Sequence, residues 1–210
     1  MPGTARLLGI DIGTTGVRAA LFDPSGELLA EASLPCLYDS PEAGYAQVRA
    51  EVWWQTTQAV LADLATRAPS GSLADVTAIG VVGQAPTAVL ADERGRSLAP
   101  AILWLDTRAA AEARELGTQA YYLGPKLLWL SRHGAPARGA AGRDLVRSAR
   151  WVLQSHAYLA YALTGVAATD PSTAALAIPL FDLAAREWRP EACEAIGLRA
   201  DQLPPIRAAH

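Results

Sequence analysis

Chemistry-bearing residues are concentrated near the N-terminus, where two short apolar runs flank a polar turn. The turn consists of Gly13, Thr14, Thr15 and Gly16. Glycine lets the backbone approach a ligand closely, and successive N–H groups in such a turn form a concavity that suits phosphate oxygens. Asp11 precedes the turn and offers the carboxylate that Mg²⁺ takes together with phosphate oxygens, while Arg18 adds a permanent positive charge. The pattern therefore predicts a β-hairpin that binds a polyphosphate.

A plain hairpin turn is the alternative interpretation of the same residues. In it, Gly13 and Gly16 supply positive φ angles and Asp11 caps the turn. Two other nucleotide-binding patterns are excluded. The sequence contains no Gly-Lys-Ser/Thr motif, and the glycine turn leads into a second apolar strand, not into the helix that a dinucleotide-binding fingerprint requires.

Composition favours a globular enzyme or binding domain with no nucleic-acid or membrane partner. The chain has 210 residues, 51% of them hydrophobic, and a net charge of −3, so nothing in its overall charge favours nucleic acid or an anionic membrane. No apolar run approaches the roughly 20 residues of a membrane span, and Asp11 interrupts the first one, so we expect a cytoplasmic protein without a signal peptide. Cys36 and Cys193 lack metal-ligand spacing and are expected to be reduced and structural.

The distribution of apolar residues predicts an α/β domain with a mixed sheet and flanking helices. Strands over 6–12, 17–22 and 27–33 are joined by short connections and form an antiparallel β-meander. The apolar run 76–82 is expected to be a central strand covered on both faces. Further predicted elements are a helix over 49–68, strands over 87–91 and 101–104, helices over 107–116 (capped by Thr107), 125–133, 148–163 (ended by Gly165) and 190–196, and a flexible loop over 134–142.

Four segments, taken in order, carry a resemblance to a known family. They are Gly9–Arg18, Gly83-Gln84, Pro100–Arg108 and Pro125–Trp129, with weaker matches at 163–165 and 169–172. In these segments the chain resembles the N-terminal domain of the FGGY family of carbohydrate kinases, most closely its xylulokinase-like branch. The chain departs from that branch after Gly83-Gln84, where Ala85-Pro86-Thr87 replaces Met-His, and it also lacks the Arg-Glu typical of glycerol kinases.

The resemblance implies the ribonuclease H-like fold shared with actin and hexokinase. It implies ATP-dependent phosphorylation of a sugar or polyol hydroxyl, with ATP and Mg²⁺ as cofactors and a pentulose such as D-xylulose as the favoured acceptor. Asp11 would serve catalysis through the metal ion, and Gly13, Thr14, Thr15 and Arg18 would contact the phosphates. The residues implied for the sugar or polyol are Gln84, Ala85, Trp104 and Asp106. An indole face beside a carboxylate suits a sugar, because the ring can stack on C–H groups while the oxygens accept hydroxyl hydrogen bonds.

Structural roles compete with several of these assignments. Asp106 could instead cap the helix that starts near Thr107, and Lys126 could stack its stem on Trp129. The other tryptophans, which are Trp53, Trp54, Trp129, Trp151 and Trp188, are expected to pack in the core. A glycerol kinase-like enzyme and a non-catalytic binding or regulatory module of the same fold stay open as alternatives.

Members of the family are more than twice as long as this chain. The resemblance implies that residues 1–210 form the N-terminal, sugar-binding domain and stop before its last strand. It also implies that the catalytic base, in a Gly-Gly-Asp loop, and the adenosine-binding domain lie beyond the sequence. We therefore expect the chain to fold without sugar-dependent ATP turnover. An uncovered strand edge would favour self-association, so a homodimer is compatible with this view.

Overall fold

The structure is a computed structural model, and it describes residues 5–69, 73–134 and 142–208. These residues form two compact units. The first unit comprises residues up to Tyr38 together with Glu51–Gln84, and the second comprises Asp39–Ala50 together with residues from Ala85 onwards.

The first unit contains a four-stranded sheet and one long helix. Its elements are β1 (Arg6–Ile12), β2 (Gly16–Phe22), β3 (Leu28–Pro35), α1 (Ala50–Arg67) and β5 (Val76–Gly83). The strand order is β3-β2-β1-β5, with antiparallel pairing among the first three strands and parallel pairing of β1 with β5. The predicted meander and mixed sheet are confirmed. On α1, full burial recurs at Trp53, Thr57, Val60 and Leu64, which is the helical spacing on which the prediction rested.

Strand β5 corrects one expectation. The apolar run does form a strand, but it lies at the edge of the sheet, and Ile79 and Val82 are 49% and 62% exposed. A continuous apolar run predicts a strand covered on both faces. Within the described residues β5 pairs with β1 alone, so this part of the prediction is wrong even though the strand itself is confirmed.

The second unit is built from short elements around an apolar core. Its strands are β4 (Gln47–Val48), β6 (Val89–Ala91), β7 (Ala101–Ile102), β8 (Trp151–Leu153), β9 (Phe181–Asp182) and β10 (Glu187–Trp188), which pair two by two as β4-β7, β6-β8 and β9-β10. Its helices are α2 (Ala110–Glu115), α3 (Leu123–His133), α4 (Gly142–Ser148), α5 (Ser155–Thr164), α6 (Pro171–Ala174) and α7 (Pro190–Ala195). Leu90, Ile102, Leu127, Val146 and Ile196 are among the core residues.

Several boundaries in this unit differ from the predicted ones. Helix α2 begins at Ala110 with Ala109 at the N-cap position and no side-chain cap, so Thr107 does not cap it. The predicted helix 148–163 is divided, because β8 pairs with β6 and α5 starts only at Ser155, although Gly165 ends it in the left-handed conformation as expected. Of the predicted flexible loop 134–142, positions 135–141 lie outside the described residues, and α4 was not predicted.

Cys36 and Cys193 are both buried and free, and burial raises the pKa of the Cys193 thiol to about 11. Among the helices of the described ranges, none combines the length and the apolar character of a membrane span.

Candidate functional site

The turn between β1 and β2 owes its glycines to close backbone contacts. The Gly13 N–H donates to the Gly16 carbonyl at 2.8 Å, which closes the turn. A Cβ atom at Gly16 would lie 2.9 Å from the Leu34 carbonyl oxygen, so the neighbouring strand leaves room only for glycine there. Neither glycine has a φ angle in the left-handed region. The positive-φ explanation offered by the plain-hairpin interpretation is therefore wrong.

Asp11 and Arg18 face each other across this hairpin. They are directly opposed partners in the β1–β2 register, and both are exposed. Together with Gly13, Thr15 and Ser33 they line a cavity of about 390 Å³ in the first unit. Thr14 lies in the same turn, half-buried, but is not among the lining residues.

Magnesium would find a suitable ligand in Asp11. The ion favours one or two carboxylates completed by water and phosphate oxygens, and Asp11 is an exposed carboxylate beside a cavity that also presents a guanidinium group. In the described part of the chain, Asp11 included, no group of three or more His, Cys, Asp or Glu side chains could hold a metal. The donor set therefore fits a metal that arrives with a phosphate ligand, not one held by the protein alone.

Gln84 belongs to this turn as well. Its backbone N–H donates to the Ile12 carbonyl at 2.8 Å, and its side-chain amide donates to the Gly13 carbonyl at 3.4 Å. The structure thus places Gln84 beside the glycine turn of the first unit. Gln84 does not line the cavity that the three other residues assigned to the sugar share.

Those three residues, Ala85, Trp104 and Asp106, line one cavity of about 530 Å³ in the second unit. Trp104 is 43% exposed, whereas Trp53 in the core is 1% exposed, so the indole of Trp104 is available to a ligand. Tyr121, 41% exposed, contributes a second aromatic ring to the same cavity. Sequence reasoning missed Tyr121, because an aromatic residue just before the Pro125–Trp129 motif has no spacing that marks it as part of a cavity.

Asp106 is occupied by internal partners. Its side chain is fully buried and forms an ion pair with Arg108, whose Nη2 lies 2.7 Å from Oδ2. The same carboxylate accepts the Ala46 N–H at 2.5 Å and the Arg108 N–H at 2.9 Å. The hydrogen bonds and ion pair of Asp106 fix the loop at Ala46 and the orientation of Arg108. Direct contact between Asp106 and a ligand stays a prediction.

Arg108 in turn joins several segments of the second unit. Its guanidinium lies 3.7 Å from the centre of the Tyr45 ring and 5.1 Å from that of Trp129, and it donates to Gln47 Oε1 at 2.9 Å. Aromatic faces stabilise a desolvated cation, and here they pack on a guanidinium whose side chain is only 5% exposed. The cation over the Trp129 ring is Arg108, whereas stacking of the Lys126 stem on that ring stays a prediction.

Lys126 is fully buried and connects two walls of the same cavity. Its Nζ donates to the carbonyl of Pro86 at 3.0 Å and, at very short range, to the carbonyl of Tyr121. Burial lowers the pKa of Lys126 to about 7, against the opposing effect of the Asp106 charge. Pro86 and Tyr121 both line the cavity, so this amine holds its shape.

Comparison with known proteins gives the class. Residues 6–210 match the model of the FGGY family of carbohydrate kinases, N-terminal domain. The chain is 33% identical over 212 residues to the xylulose kinase of Escherichia coli (strain K12), covering 95% of this chain, and 33% identical over 221 residues to the glycerol kinase of Gloeobacter violaceus, covering 96%. Superposition on the xylulose kinase structure from Rhodospirillum rubrum gives a TM-score of 0.81 at 29% identity, over 96% of this chain and 42% of that one.

The chain therefore belongs to the FGGY family of carbohydrate kinases and has the actin- and hexokinase-type fold that the sequence predicted. It spans about two fifths of the length of these relatives, 41% in both curated cases.

Replacing Asp106 with Asn is expected to destabilise the second unit by about 3 kcal/mol or more, because a buried guanidinium loses its counter-charge. Thermal and urea unfolding of the variant measure this. Asp63→Asn is the matched control, since Asp63 forms an exposed ion pair with Arg67 whose loss should cost less than about 1 kcal/mol. Equal effects of the two substitutions would contradict the structural role of the Asp106–Arg108 pair.

The pKa of Lys126 predicts a pH-dependent stability. Between pH 7 and the ordinary lysine value of 10.5, the unfolded chain holds a proton that the folded chain has released, so the stability of the folded state rises with pH. Relative to Lys126→Met, the free energy of unfolding of the wild-type chain should increase by about 2 kcal/mol from pH 7 to pH 9. If the free energies of unfolding of the wild-type and Lys126→Met chains had the same dependence on pH, this prediction would be contradicted. Other titrating groups such as Cys193 are common to both proteins and cancel in the comparison. Lys126→Gln, which keeps a hydrogen-bond donor, serves as a second variant without a titrating amine.

Proposed function

We propose that the protein acts in ATP-dependent phosphorylation of a sugar or polyol hydroxyl. The observation that carries the proposal is the cavity of the second unit, where the exposed Trp104 and Tyr121 rings lie beside backbone groups at Ala85 and Pro86. Aromatic faces bind the C–H surfaces of sugars, and polar groups at the rim orient the hydroxyls. Membership in a carbohydrate kinase family supports the same class of reaction.

In this proposal the β1–β2 turn serves the phosphate donor. Gly13, Thr14 and Thr15 offer backbone and hydroxyl groups, and Arg18 offers a fixed positive charge to the terminal phosphates. Asp11 holds Mg²⁺, which neutralises charge on the transferred phosphoryl group when bound. Phosphoryl transfer depends mainly on positioning and charge neutralisation, and these residue types supply both.

For the acceptor we favour a pentulose such as D-xylulose. Xylulose kinases are among the most similar relatives, and one supplies the superposed structure. A glycerol kinase has the same sequence identity to this chain, 33%, as the Escherichia coli xylulose kinase, so a polyol acceptor is the alternative. Ala85-Pro86 presents no long polar side chain, which leaves selectivity to the backbone, to Trp104 and to Tyr121.

We further propose that residues 1–210 constitute the sugar-binding domain. The catalytic base and the adenosine site would then belong to the part of the relatives that lies beyond the matched region. The proposed enzyme would need both parts, because the base must orient the attacking hydroxyl in a closed cleft that excludes water.

Sugar binding by this chain tests the acceptor assignment. Calorimetric titration with D-xylulose, glycerol and a hexose should give measurable affinity for the pentulose, and Trp104→Ala should weaken that affinity about tenfold through loss of the stacking surface. Trp54→Ala removes a tryptophan of the first unit that lies outside the cavity and is expected to leave the affinity unchanged. Preference for glycerol or a hexose would refute the pentulose assignment, and lack of affinity for all three would refute the acceptor site.

A measurement of ATP turnover tests the proposal that residues 1–210 bind the sugar and that the catalytic base lies elsewhere. With D-xylulose, ATP and Mg²⁺, the purified chain should show no sugar-dependent turnover in a coupled assay, because the proposal places the catalytic base outside residues 1–210. Turnover that Asp11→Asn abolishes would demonstrate a base within residues 1–210 and would overturn that part of the proposal while supporting the role of Asp11.

A further inference from the structure

The second unit contains another cavity, of about 520 Å³, whose wall is rich in arginine. The arginines that line it are Arg94, Arg96, Arg147, Arg150 and Arg199. They come from three places in the sequence: the turn after β6, the end of α4 with the start of β8, and the residue before the short 3-10 helix Ala200–Gln202. Two acidic residues, Asp92 and Glu93, also line the cavity. Positive charge therefore prevails here in a chain whose net charge is −3.

Three of the arginines are held by neighbouring groups. Arg96 forms an ion pair with Asp92, with its Nη2 2.7 Å from Oδ2. Arg150 donates to the Asp201 carbonyl at 3.1 Å and stacks on the Trp151 ring at 3.7 Å. Arg199 pairs with the Asp201 carboxylate at 3.0 Å and donates to the Arg147 carbonyl at 3.1 Å. These contacts hold part of the arginine wall in place without a ligand.

Arg94 and Arg147 differ from these three. Both side chains are exposed, and neither has a hydrogen bond or ion pair with any residue in the described ranges. The nearby carboxylate of Asp92 is not available to them, because it accepts the backbone N–H groups of residues 94 and 96 as well as the Arg96 side chain. Two guanidinium groups are thus left with their planar donor forks open at the cavity.

Open guanidinium forks on a preformed positive wall match one kind of ligand best. Arginine binds phosphate through paired N–H donors, and several converging arginines bind a group that carries more than one phosphate. The volume is sufficient for a small molecule and modest for a macromolecular surface. Glu93, the one lining carboxylate without a protein partner, would disfavour a ligand with negative charge spread over a wide area.

We propose that this arginine cavity binds a small polyphosphate, meaning a compact ligand with two or more phosphate groups, at a site separate from the β1–β2 turn. Arg94 and Arg147 form the direct contacts, and the held arginines supply the surrounding potential. The arginine cavity shares no lining residue with the β1–β2 turn or with the cavity at Trp104, so the proposal does not depend on the proposed kinase function.

Calorimetric titration of the whole 210-residue chain with tripolyphosphate tests the site. Because the β1–β2 turn could also bind the probe, the titration is done in an Arg18→Ala background. Adding Arg94→Ala or Arg147→Ala should weaken the remaining affinity at least about tenfold, and the double substitution should abolish it. Arg114→Ala removes an exposed arginine of α2 outside the cavity and should change the affinity less than about twofold. Unchanged unfolding temperatures verify that the variants fold.

Three results would overturn the proposal. They are equal affinity in the double variant, equal affinity for chloride and tripolyphosphate at fixed ionic strength, and binding of polyglutamate in preference to tripolyphosphate. The last result would point to an acidic protein partner.

Further titrations with ATP and with a singly phosphorylated sugar distinguish the sources of the phosphate groups. Tighter binding of the singly phosphorylated compound than of tripolyphosphate would refute the requirement for more than one phosphate.

Discussion

A buried arginine holds together the part of the second unit that forms the cavity at Trp104. Arg108 is enclosed by the Asp106 carboxylate, the Gln47 side chain and the Tyr45 and Trp129 rings. Taking a guanidinium out of water costs several kcal/mol, and an ion pair alone often fails to recover that cost. Here the cation has a bidentate carboxylate, an amide oxygen and two aromatic faces, so the desolvated charge is compensated on every side. Removal of the Asp106 carboxylate would leave this buried guanidinium without a counter-charge.

This constraint explains why such short elements can form a defined cavity. Strands β4 and β7 contribute only two residues each, which is too little for independent stability. The Asp106 carboxylate ties the segment before β4 to the segment after β7 through the Ala46 N–H, and Arg108 extends the connection to Trp129 on α3. Lys126, on the same helix, ties Pro86 to Tyr121. With its neighbours anchored in this way, the exposed Trp104 is part of a cavity wall that these contacts hold in place.

Local patterns predicted those parts of the molecule that local physics controls. The meander and α1 follow from residue periodicity and short connections, and the glycine turn lies where the sequence placed it. Long-range pairing was harder to predict. Trp151–Leu153 has helical neighbours in the sequence, yet it forms a strand because β6 pairs with it. The apolar run of β5 similarly carries no information about what covers it. Tyr121 was missed because an aromatic residue near a motif has no distinguishing spacing, and only the cavity gives it a role.

The contrast between two aspartate–arginine pairs bears on how such sites are assigned. Asp11 with Arg18 and Asp106 with Arg108 contain the same chemical groups, although the first pair lies within β1 and β2 and the second lies after β7. The first pair is exposed across a hairpin and borders a cavity, so its charges are available to a ligand. The second pair has almost no exposed surface and its oxygens accept internal hydrogen bonds, so its charges stabilise the fold. Residue type and motif membership are shared, and burial separates the two roles. A carboxylate named by a family motif can therefore position a site without touching the ligand, and its substitution would then alter binding through the shape of the cavity and not through a lost contact.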